Sequence, residues 1–220
     1  MKIIEPSVEL LNPTSAEEGI NALKFIERMA RISHRSEDAQ TPDSWELFLT
    51  SVVLGHGDWS VVEHASATAV FRVDRGVTHE LVRHRLFSFT QESTRFVRYG
   101  GKQVSEMEFI KPLVISDGDS YWWAHSCEEA EKTYKELLER KVRPQEARSV
   151  LPNALAATIA VTGNFRSWRH ILLMRTTKET HPDFGRVMIP LLQTFKERVP
   201  LLFDDIEPGA RQIDNMRKPR

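Results

Sequence analysis

Alternating apolar and polar positions predict four short strands along the chain. The strongest pattern runs from His64 to Val73, where small or apolar side chains occupy every second position, as in a half-buried strand. A looser alternation from Ile3 to Leu11 and the β-prone run Thr158–Thr162 predict two more strands. A fourth strand is predicted from Val104 to Lys111, where a proline follows.

Apolar residues at helical spacing, with polar caps and breakers between them, predict seven helices. A capping box at Ser15 and Glu18 starts the first helix, and the pair Thr41-Pro42 starts the second. Thr78 and Ser167 are the predicted caps of two later helices. The predicted helices run from Ser15 to about Ser33, from Pro42 to Gly55 or Gly57, from Val77 to about Arg85, from about Tyr121 to Val142, from Pro144 to Pro152, from Trp168 to Arg175 and from Phe184 to Val199.

Helices and short strands follow one another without a regular βαβ repeat. This order predicts a mixed α/β fold of α+β-like character. A chain of 220 residues suits one domain, and we predict a single domain over residues 1–210 with a charged tail over 211–220. The aromatic run Tyr121-Trp122-Trp123 packs either in the core, which is the favoured prediction, or at a subunit interface.

Composition narrows the class of protein. The formal net charge is -1, whereas general nucleic-acid binders carry a strong basic excess. One cysteine, Cys127, cannot form an internal disulfide framework or a multi-cysteine metal site. No apolar run approaches the roughly 20 residues that span a bilayer, and the N-terminus has no apolar signal region. We therefore expect a cytoplasmic protein without a membrane partner.

Basic and hydroxyl side chains are concentrated in one stretch. Arg83, Arg85, Arg95 and Arg98 lie within 16 residues that contain a single acid, Glu92. Guanidinium groups with serine, threonine and glutamine side chains between them suit a phosphate or another oxyanion. The alternative is a solvated basic face with no ligand.

The helix predicted before this stretch offers less specific chemistry. Glu80 precedes Arg83 by three residues and His84 by four, so the three side chains form either a local ion-pair cluster or a wall of a site. His79 and His84 are five apart, on different faces, so we predict no zinc site. Cys127 lies in a predicted amphipathic helix without a neighbouring base, and an inert thiol is expected.

The second half of the chain offers another candidate anion site. Arg166 and Arg175 flank a predicted helix whose positive dipole end would favour an anion, although its charged side chains would also suit a solvated polar face. The chain has no Walker A loop and no G-x-G-x-x-G fingerprint. Any nucleotide is therefore expected to be held by side chains.

Four ordered segments together resemble one known family. They are Arg-His-Arg at 83–85 followed after seven residues by Ser93-Thr94-Arg95, the run 61–65, the run 146–152 and the run 162–167. The pattern is similar to that of flavin-dependent thymidylate synthases along nearly the whole chain. The resemblance implies a central sheet flanked by helices and a cytoplasmic homotetramer with active sites between subunits. It also implies reductive methylation of dUMP to dTMP, with FAD as cofactor and with NADPH and 5,10-methylenetetrahydrofolate as co-substrates.

The resemblance also implies roles for individual residues. Arg175 would be the catalytic residue that activates the uracil ring, without an enzyme cysteine nucleophile and without a metal. Ser33 is a further candidate for a flavin contact. The implied flavin-binding residues are Ser60, Arg83, His84, Arg85, Gln91, Asn164, Arg166 and His170. The implied dUMP-binding residues are Glu80, Arg83, Gln91, Ser93, Thr94, Arg95, Arg148 and Arg175.

The sequence departs from many relatives at a few of these positions, and two other functions compete with the synthase. His170 stands where asparagine is common, and Gln91 stands where some members have an acid. One alternative is a non-catalytic nucleotide- or RNA-binding module that uses the same arginines. The other is a degenerate family member that binds dUMP without turnover. We expect no stable complex with nucleic acid.

Overall fold

The computed structural model describes residues 1–97, 99 and 106–209, and within them it has six strands. These are β1 (Lys2–Ile4), β2 (Ser7–Asn12), β3 (Ser66–Asp74), β4 (Ser88–Gln91), β5 (Glu108–Ile110) and β6 (Ala156–Asn164). Strands β1 and β5 pair in parallel, and the order of the four-stranded sheet is β2-β3-β6-β4. The two long strands, β3 and β6, have alternating buried and half-exposed residues, as their sequence patterns predict.

Seven α-helices complete the described chain. They are α1 (Ala16–Ile32), α2 (Trp45–Leu49), α3 (Arg75–Leu81), α4 (Asp117–Glu139), α5 (Pro144–Ala147), α6 (Phe165–Arg175) and α7 (Pro182–Arg198). A π-helical segment, Thr50–Gly55, continues α2, and 3₁₀ segments lie at Glu37–Ala39, Trp59–His64 and Arg148–Val150. The predicted mixed α/β class is confirmed.

The chain forms two compact units. Unit 1 comprises Met1–Ser7, Phe71–Arg83 and Phe89–Ala160, and its core gathers around α4. Buried Tyr99, Phe109 and Tyr134 are the largest side chains of that core, and α4 packs on α5 and on the segment Arg148–Val150. The amphipathic sequence of α4 therefore provides one apolar face for this unit.

Unit 2 comprises Val8–Val70, His84–Ser88 and the described part of Val161–Arg220. Helix α1 packs on α7 and on the 3₁₀ segment Trp59–His64, which also contacts α6. A Cβ atom at Gly19 would overlap the backbone carbonyl of Arg198, so glycine is required where α1 and α7 approach each other. Buried Trp168, in the first turn of α6, donates its indole N–H to the carbonyl of Ala67 at 2.9 Å.

Several predicted helix starts are wrong, and at α3, α4 and α6 the reason is that another side chain caps the backbone. Helix α2 begins at Trp45 rather than Pro42, and its N-cap residue Ser44 makes no capping hydrogen bond, since its hydroxyl accepts from the Thr41 N–H before the helix. Helix α3 begins at Arg75, since the Asp74 carboxylate accepts from Val77 N at 3.0 Å. The predicted cap Thr78 instead donates to the carbonyl of Arg75.

Helix α4 begins at Asp117 instead of about Tyr121, with the Ser116 hydroxyl accepting from Asp119 N at 3.1 Å. Helix α6 begins at Phe165 instead of Trp168. Asn164 is the cap, and its side-chain oxygen accepts from Ser167 N at 2.8 Å. The prediction placed the cap three residues too late because serine and asparagine are both good cap residues in this stretch.

Other predictions are corrected in extent or burial. Strand β4 was not predicted, because polar residues dominate its sequence. Tyr121 and Trp122 are 65% and 67% exposed, so the predicted core packing is wrong for both. The predicted strand Val104–Lys111 is only Glu108–Ile110 in the described chain, and Val104 and Ser105 lie outside the described residues. Arg98 and the predicted tail 211–220 also lie outside them.

Candidate active site

Unit 2 contains a cleft of about 480 Å³ at the start of α6. This volume is within the range of small-molecule sites. Three of the residues assigned to the flavin by resemblance line it, namely Asn164, Arg166 and His170. Glu63, Leu86 and Ser167 line the remainder. The strand-to-helix turn from β6 into α6 brings the three predicted residues together, because they lie on the first turns of one helix.

Local contacts define which atoms of this cleft remain for a ligand. The Asn164 oxygen accepts from Ser167 N as the helix cap, so the donors that this side chain can offer a ligand are its amide N–H groups. Arg166 Nη1 donates to Glu63 Oε1 at 2.6 Å, and both side chains are about half exposed. An exposed pair of this kind contributes at most about 1 kcal/mol. An anion could therefore compete with Glu63 for the guanidinium.

His84 and Arg175, which the sequence places 91 residues apart, are hydrogen-bonded in unit 2. Arg175 Nε donates to His84 Nε2 at 3.1 Å, and its guanidinium lies 5.2 Å from the ring centre of Phe184. Burial, then the positive charge of Arg175, lowers the pKa of His84 to about 4. The imidazole is therefore neutral near pH 7, which is the state that can accept from Arg175.

A second cleft, of about 450 Å³, lies in unit 1. Its lining contains Thr94 and Arg148, both assigned to dUMP by resemblance, and Arg148 Nη1 donates to Thr94 Oγ1 at 3.2 Å. Arg148 Nε also donates to the carbonyl of Gln145 at 3.2 Å. Arg75, His79, Gln145 and Ser149 complete the lining. Among the described residues that line this cleft, none is an acid, so its charge is positive.

The other predicted substrate residues of unit 1 lie on or near β4 and α3. Gln91 Nε2 donates to the buried Thr78 Oγ1 at 3.0 Å, and Ser93 Oγ accepts from Arg95 N at 3.3 Å. The Arg95 guanidinium lies 5.5 Å from the ring centre of Phe96, and both side chains are exposed.

Helix α3 is too short to place Glu80, Arg83 and His84 on one helical face. Because the helix ends at Leu81, His84 is outside it, and the predicted shared helical face of Glu80, Arg83 and His84 is wrong. Arg83 N donates to the carbonyl of Glu80 at 3.2 Å, and the Arg83 side chain is exposed.

The predicted flavin and substrate residues thus separate largely by unit. Ser60, on the 3₁₀ segment of unit 2, and Arg85, which follows His84, are both exposed and do not line the unit 2 cleft. Ser33 lies just after α1 and donates to the carbonyl of Ala30 at 2.8 Å. Arg83 and Gln91, which the resemblance assigns to both ligands, belong to unit 1.

Sequence reasoning missed several cleft residues. No sequence pattern predicts a role for Arg75, and His79 is considered only as a metal ligand, yet both line the unit 1 cleft. Glu63 was part of a recognised segment without a role, and it faces the unit 2 cleft.

Cys127 lines neither the unit 1 cleft nor the unit 2 cleft. Cys127 is buried in the unit 1 core, and burial raises the pKa of its thiol to about 11. A thiol with this pKa is protonated at neutral pH and is a poor nucleophile. Within the described ranges, no group of three or more His, Cys, Asp or Glu residues is arranged to hold a metal ion. No helix of the described chain is long and apolar enough to cross a membrane.

Comparisons with known proteins show the family to which the chain belongs. Residues 17–201 match the family model described as thymidylate synthase complementing protein. A protein of Corynebacterium efficiens named flavin-dependent thymidylate synthase is 39% identical over 164 residues, covering 69% of this chain and 66% of that protein. This match therefore spans just under two thirds of that relative's length. A protein of the same name from Corynebacterium aurimucosum is 31% identical, with 93% of this chain and 92% of the relative covered.

One solved structure agrees in fold. A UMP/dUMP methylase from Streptomyces cacaoi, crystallised with 5-Br dUMP, has a TM-score of 0.73 and is 23% identical, covering 93% of this chain and 96% of the other. At this identity the likeness establishes the fold.

Proposed function

The chain belongs to the thymidylate synthase complementing protein family, and on this premise we propose that it is a flavin-dependent thymidylate synthase. It would convert dUMP to dTMP, taking the methylene group from 5,10-methylenetetrahydrofolate. The observation that carries the proposal is the pairing of Arg175 with a neutral His84 in the same unit as the cleft of Asn164, Arg166 and His170. An uncharged acceptor orients the guanidinium without adding a negative charge of its own.

The unit 2 cleft suits part of a flavin dinucleotide. Its lining combines the amide donors of Asn164, the guanidinium of Arg166 and the imidazole of His170 with the apolar side chain of Leu86. Such a mixture fits a molecule that has both a planar apolar ring and anionic phosphates. When bound, FAD reduced by NADPH would supply the hydride that completes the methyl group. Ser60, Arg83, Arg85 and Gln91 are the other proposed flavin ligands.

Arg175 is the proposed catalytic residue. Beside the uracil ring of dUMP, a fixed guanidinium would stabilise negative charge that develops on the ring, and would raise the nucleophilicity of C5. His84 and Phe184 hold the side chain in position, so less reorganisation is needed during the reaction. Because the Cys127 thiol is buried and protonated, activation by charge rather than by a cysteine adduct is consistent with this chain.

Substrate positioning is proposed for the residues of unit 1. Arg95, Arg148 and Ser93 would hold the phosphate of dUMP, and Gln91 and Glu80 would orient the nucleotide. Thr94 already bonds Arg148 and would keep its guanidinium in place. We further propose a cytoplasmic homotetramer in which the active sites form between subunits, as the resemblance implies.

The first experiment is a visible absorption spectrum of the purified protein, followed by anaerobic addition of NADPH with and without dUMP. The proposal expects a flavin band that NADPH bleaches, and dTMP when methylenetetrahydrofolate is added. If FAD neither co-purifies nor binds when added, the synthase proposal fails. Nucleic-acid affinity that falls steeply with salt would then favour the RNA-binding alternative.

Replacement of Arg175 tests the catalytic assignment. Arg175→Ala should lower kcat by at least about 100-fold, because loss of one preorganised donor to developing charge commonly has this effect. Arg175→Lys is the matched control, since it keeps the charge and loses the planar fork. Near-wild-type turnover in Arg175→Ala, with an unchanged flavin content, would remove the proposed role.

A further inference from the structure

Glu92 is at the centre of a polar network in unit 1. Its Oε1 accepts from the Tyr99 hydroxyl at 2.6 Å, and its Oε2 accepts from Arg72 Nη1 at 2.6 Å and from Thr158 N at 3.2 Å. Arg72 also pairs with Glu108 at 2.8 Å. The Glu92 and Arg72 side chains are 17% and 25% exposed, so salt screens their ion pair less than it screens a pair on an open surface.

The groups around Arg72 keep the protonation states that this network needs. Burial, then the hydrogen bond to Glu92, raises the pKa of the Tyr99 hydroxyl, so the phenol remains a donor at neutral pH. The hydrogen bond from Lys2, then that from Arg72, lowers the pKa of the Glu108 carboxyl. Glu108 is therefore a carboxylate at neutral pH, and it balances the charge of Arg72 from the side opposite Glu92.

Glu92 also defines the end of β4. Its N–H donates to the Thr158 carbonyl at 2.8 Å, while its carboxylate accepts from the Thr158 N–H. A side-chain oxygen thus satisfies an N–H of β6 that would otherwise need a backbone carbonyl, and β4 ends at the preceding residue, Gln91. This pairing fixes the point at which the chain leaves the sheet.

The residues that adjoin Glu92 in the chain are proposed substrate ligands. They are Gln91, Ser93, Thr94 and Arg95. Beyond them, the Ser93 carbonyl accepts from Val97 N at 2.9 Å, and Tyr99 returns to the Glu92 carboxylate. Because Glu92 contacts the chain both before and after this turn, a displaced Glu92 side chain would move the four ligands together.

We propose that Glu92 is a positioning residue that holds the segment 91–95 in the geometry that binds the nucleotide substrate. This inference rests on the proposed function for the identity of that nucleotide, dUMP. Glu92 acts through its chain neighbours, because both of its carboxylate oxygens already accept from the protein. Its role is additional to those of the residues that contact the ligand.

The test compares Glu92→Ala with Glu108→Ala, by steady-state kinetics of the holoenzyme and by calorimetry with dUMP. Each variant removes one acid from Arg72, but only Glu92 belongs to the segment 91–95. We expect Glu92→Ala to raise the KM and the dissociation constant for dUMP about tenfold or more, because displaced binding groups lose their orientation. Glu108→Ala, the matched control, should keep both within about twofold of the wild type. Equal changes in the two variants would overturn the proposal.

Tyr99→Phe provides a milder variant, which keeps the buried ring and removes the hydroxyl that bonds Glu92. It should raise the dissociation constant for dUMP about threefold or more, the effect of losing one hydrogen bond. If Glu92→Ala does not fold, this variant decides, and wild-type affinity in Tyr99→Phe would overturn the proposal.

A purely structural role of Glu92 predicts a different pattern. It would lower kcat and flavin content in proportion to the folded fraction and leave the affinity of the folded protein for dUMP unchanged, and this result would overturn the proposal. The positioning role instead expects NADPH to reduce the flavin at the wild-type rate in Glu92→Ala when dUMP is absent, because the proposed change is confined to the segment 91–95.

Binding of dUMP also separates this inference from the synthase proposal. Weaker dUMP binding by Glu92→Ala than by Glu108→Ala, in a protein that makes no dTMP, would keep the positioning role and reject the synthase. Normal dTMP synthesis with equal dUMP affinity in the wild type and both variants would keep the synthase and reject the positioning role. A wild type that binds no dUMP would overturn both.

Discussion

Arg175 Nε donates a hydrogen bond to His84 Nε2 at 3.1 Å, and the pKa of His84 is lowered to about 4. The two features support each other, because a protonated imidazole has no lone pair with which to accept from a guanidinium. Burial is the largest cause of the low pKa, and the charge of Arg175 is the second. His84 is thus a positioning residue for Arg175 as well as a proposed flavin ligand.

Substitution of His84 tests this positioning role. His84→Ala should lower kcat by about 10- to 100-fold, because a displaced catalytic group loses much of its orientation. His84→Gln offers an amide oxygen as acceptor, and it should recover part of the loss. A double-mutant cycle with Arg175→Lys should be strongly non-additive, since both changes disturb one interaction. Loss of flavin from His84→Ala without any coupling to Arg175 would contradict the positioning role.

The pH dependence of His84 has a defined sign. Its pKa is about 4 in the fold and near 6.5 when unfolded, so the unfolded chain binds more protons between these values. The stability that the neutral imidazole contributes is complete above about pH 6.5 and is lost as the pH falls towards 4. Denaturant midpoints measured from pH 7.5 to pH 4.5 should fall less in His84→Gln than in the wild type. An equal fall in both proteins would contradict the lowered pKa.

Sequence patterns predicted most of the helices and the two long strands, because particular residues give these segments strong local signals. Strand β3 was found because Ala67, Ala69, Phe71 and Val73 are fully buried on one side. Helix α1 was found because Ser15 caps it through the Glu18 N–H. Such signals are local and strong, so they do not depend on distant contacts.

The predictions that failed depend on competition between neighbouring polar groups. Asp74 and Asn164 cap α3 and α6 in place of Thr78 and Ser167, and all four are good hydrogen-bonding residues within a few positions of a helix start. Strand β4 has a polar sequence, and its pairing at the edge of the four-stranded sheet could not be seen locally.

The residues of the candidate site were likewise predicted only in part from the sequence. Resemblance provided Asn164, Arg166 and His170, and the structure brings all three to one cleft. Contact between His84 and Arg175 could not be predicted, because only the fold brings residues 91 apart to hydrogen-bond distance.

Glu27, in α1, is expected to stabilise the fold independently of the candidate site. It is fully buried, and it accepts from Arg31 Nε at 2.9 Å, Ser44 Oγ at 2.6 Å and Gln40 Nε2 at 3.1 Å. Glu27→Ala should lower the free energy of unfolding by about 3–5 kcal/mol, since it removes one partner of a buried ion pair and leaves the half-buried Arg31 without its acid.

Two controls sharpen the Glu27 measurement. Glu27→Gln retains the shape and part of the hydrogen bonding, and it should cost less than Glu27→Ala in urea unfolding. Glu46→Gln removes an exposed acid from α2, so its effect should lie within about 0.5 kcal/mol of zero. Equal small effects at Glu27 and Glu46 would show that the buried network does not stabilise the fold.

Cys127 provides the prediction that bears most directly on how the uracil ring is activated. Its thiol is buried among Tyr99, Phe109 and Tyr134, and burial raises its pKa to about 11. Cys127→Ala should therefore retain dTMP synthesis within about twofold at a temperature where it stays folded, with a cost of about 1 kcal/mol in stability from the small cavity. Thiol reagents should modify the wild type only under conditions that unfold unit 1, because the reactive thiolate is scarce and covered. Rapid inactivation of the folded enzyme by such a reagent, with protection by dUMP, would instead assign the thiol a role in catalysis.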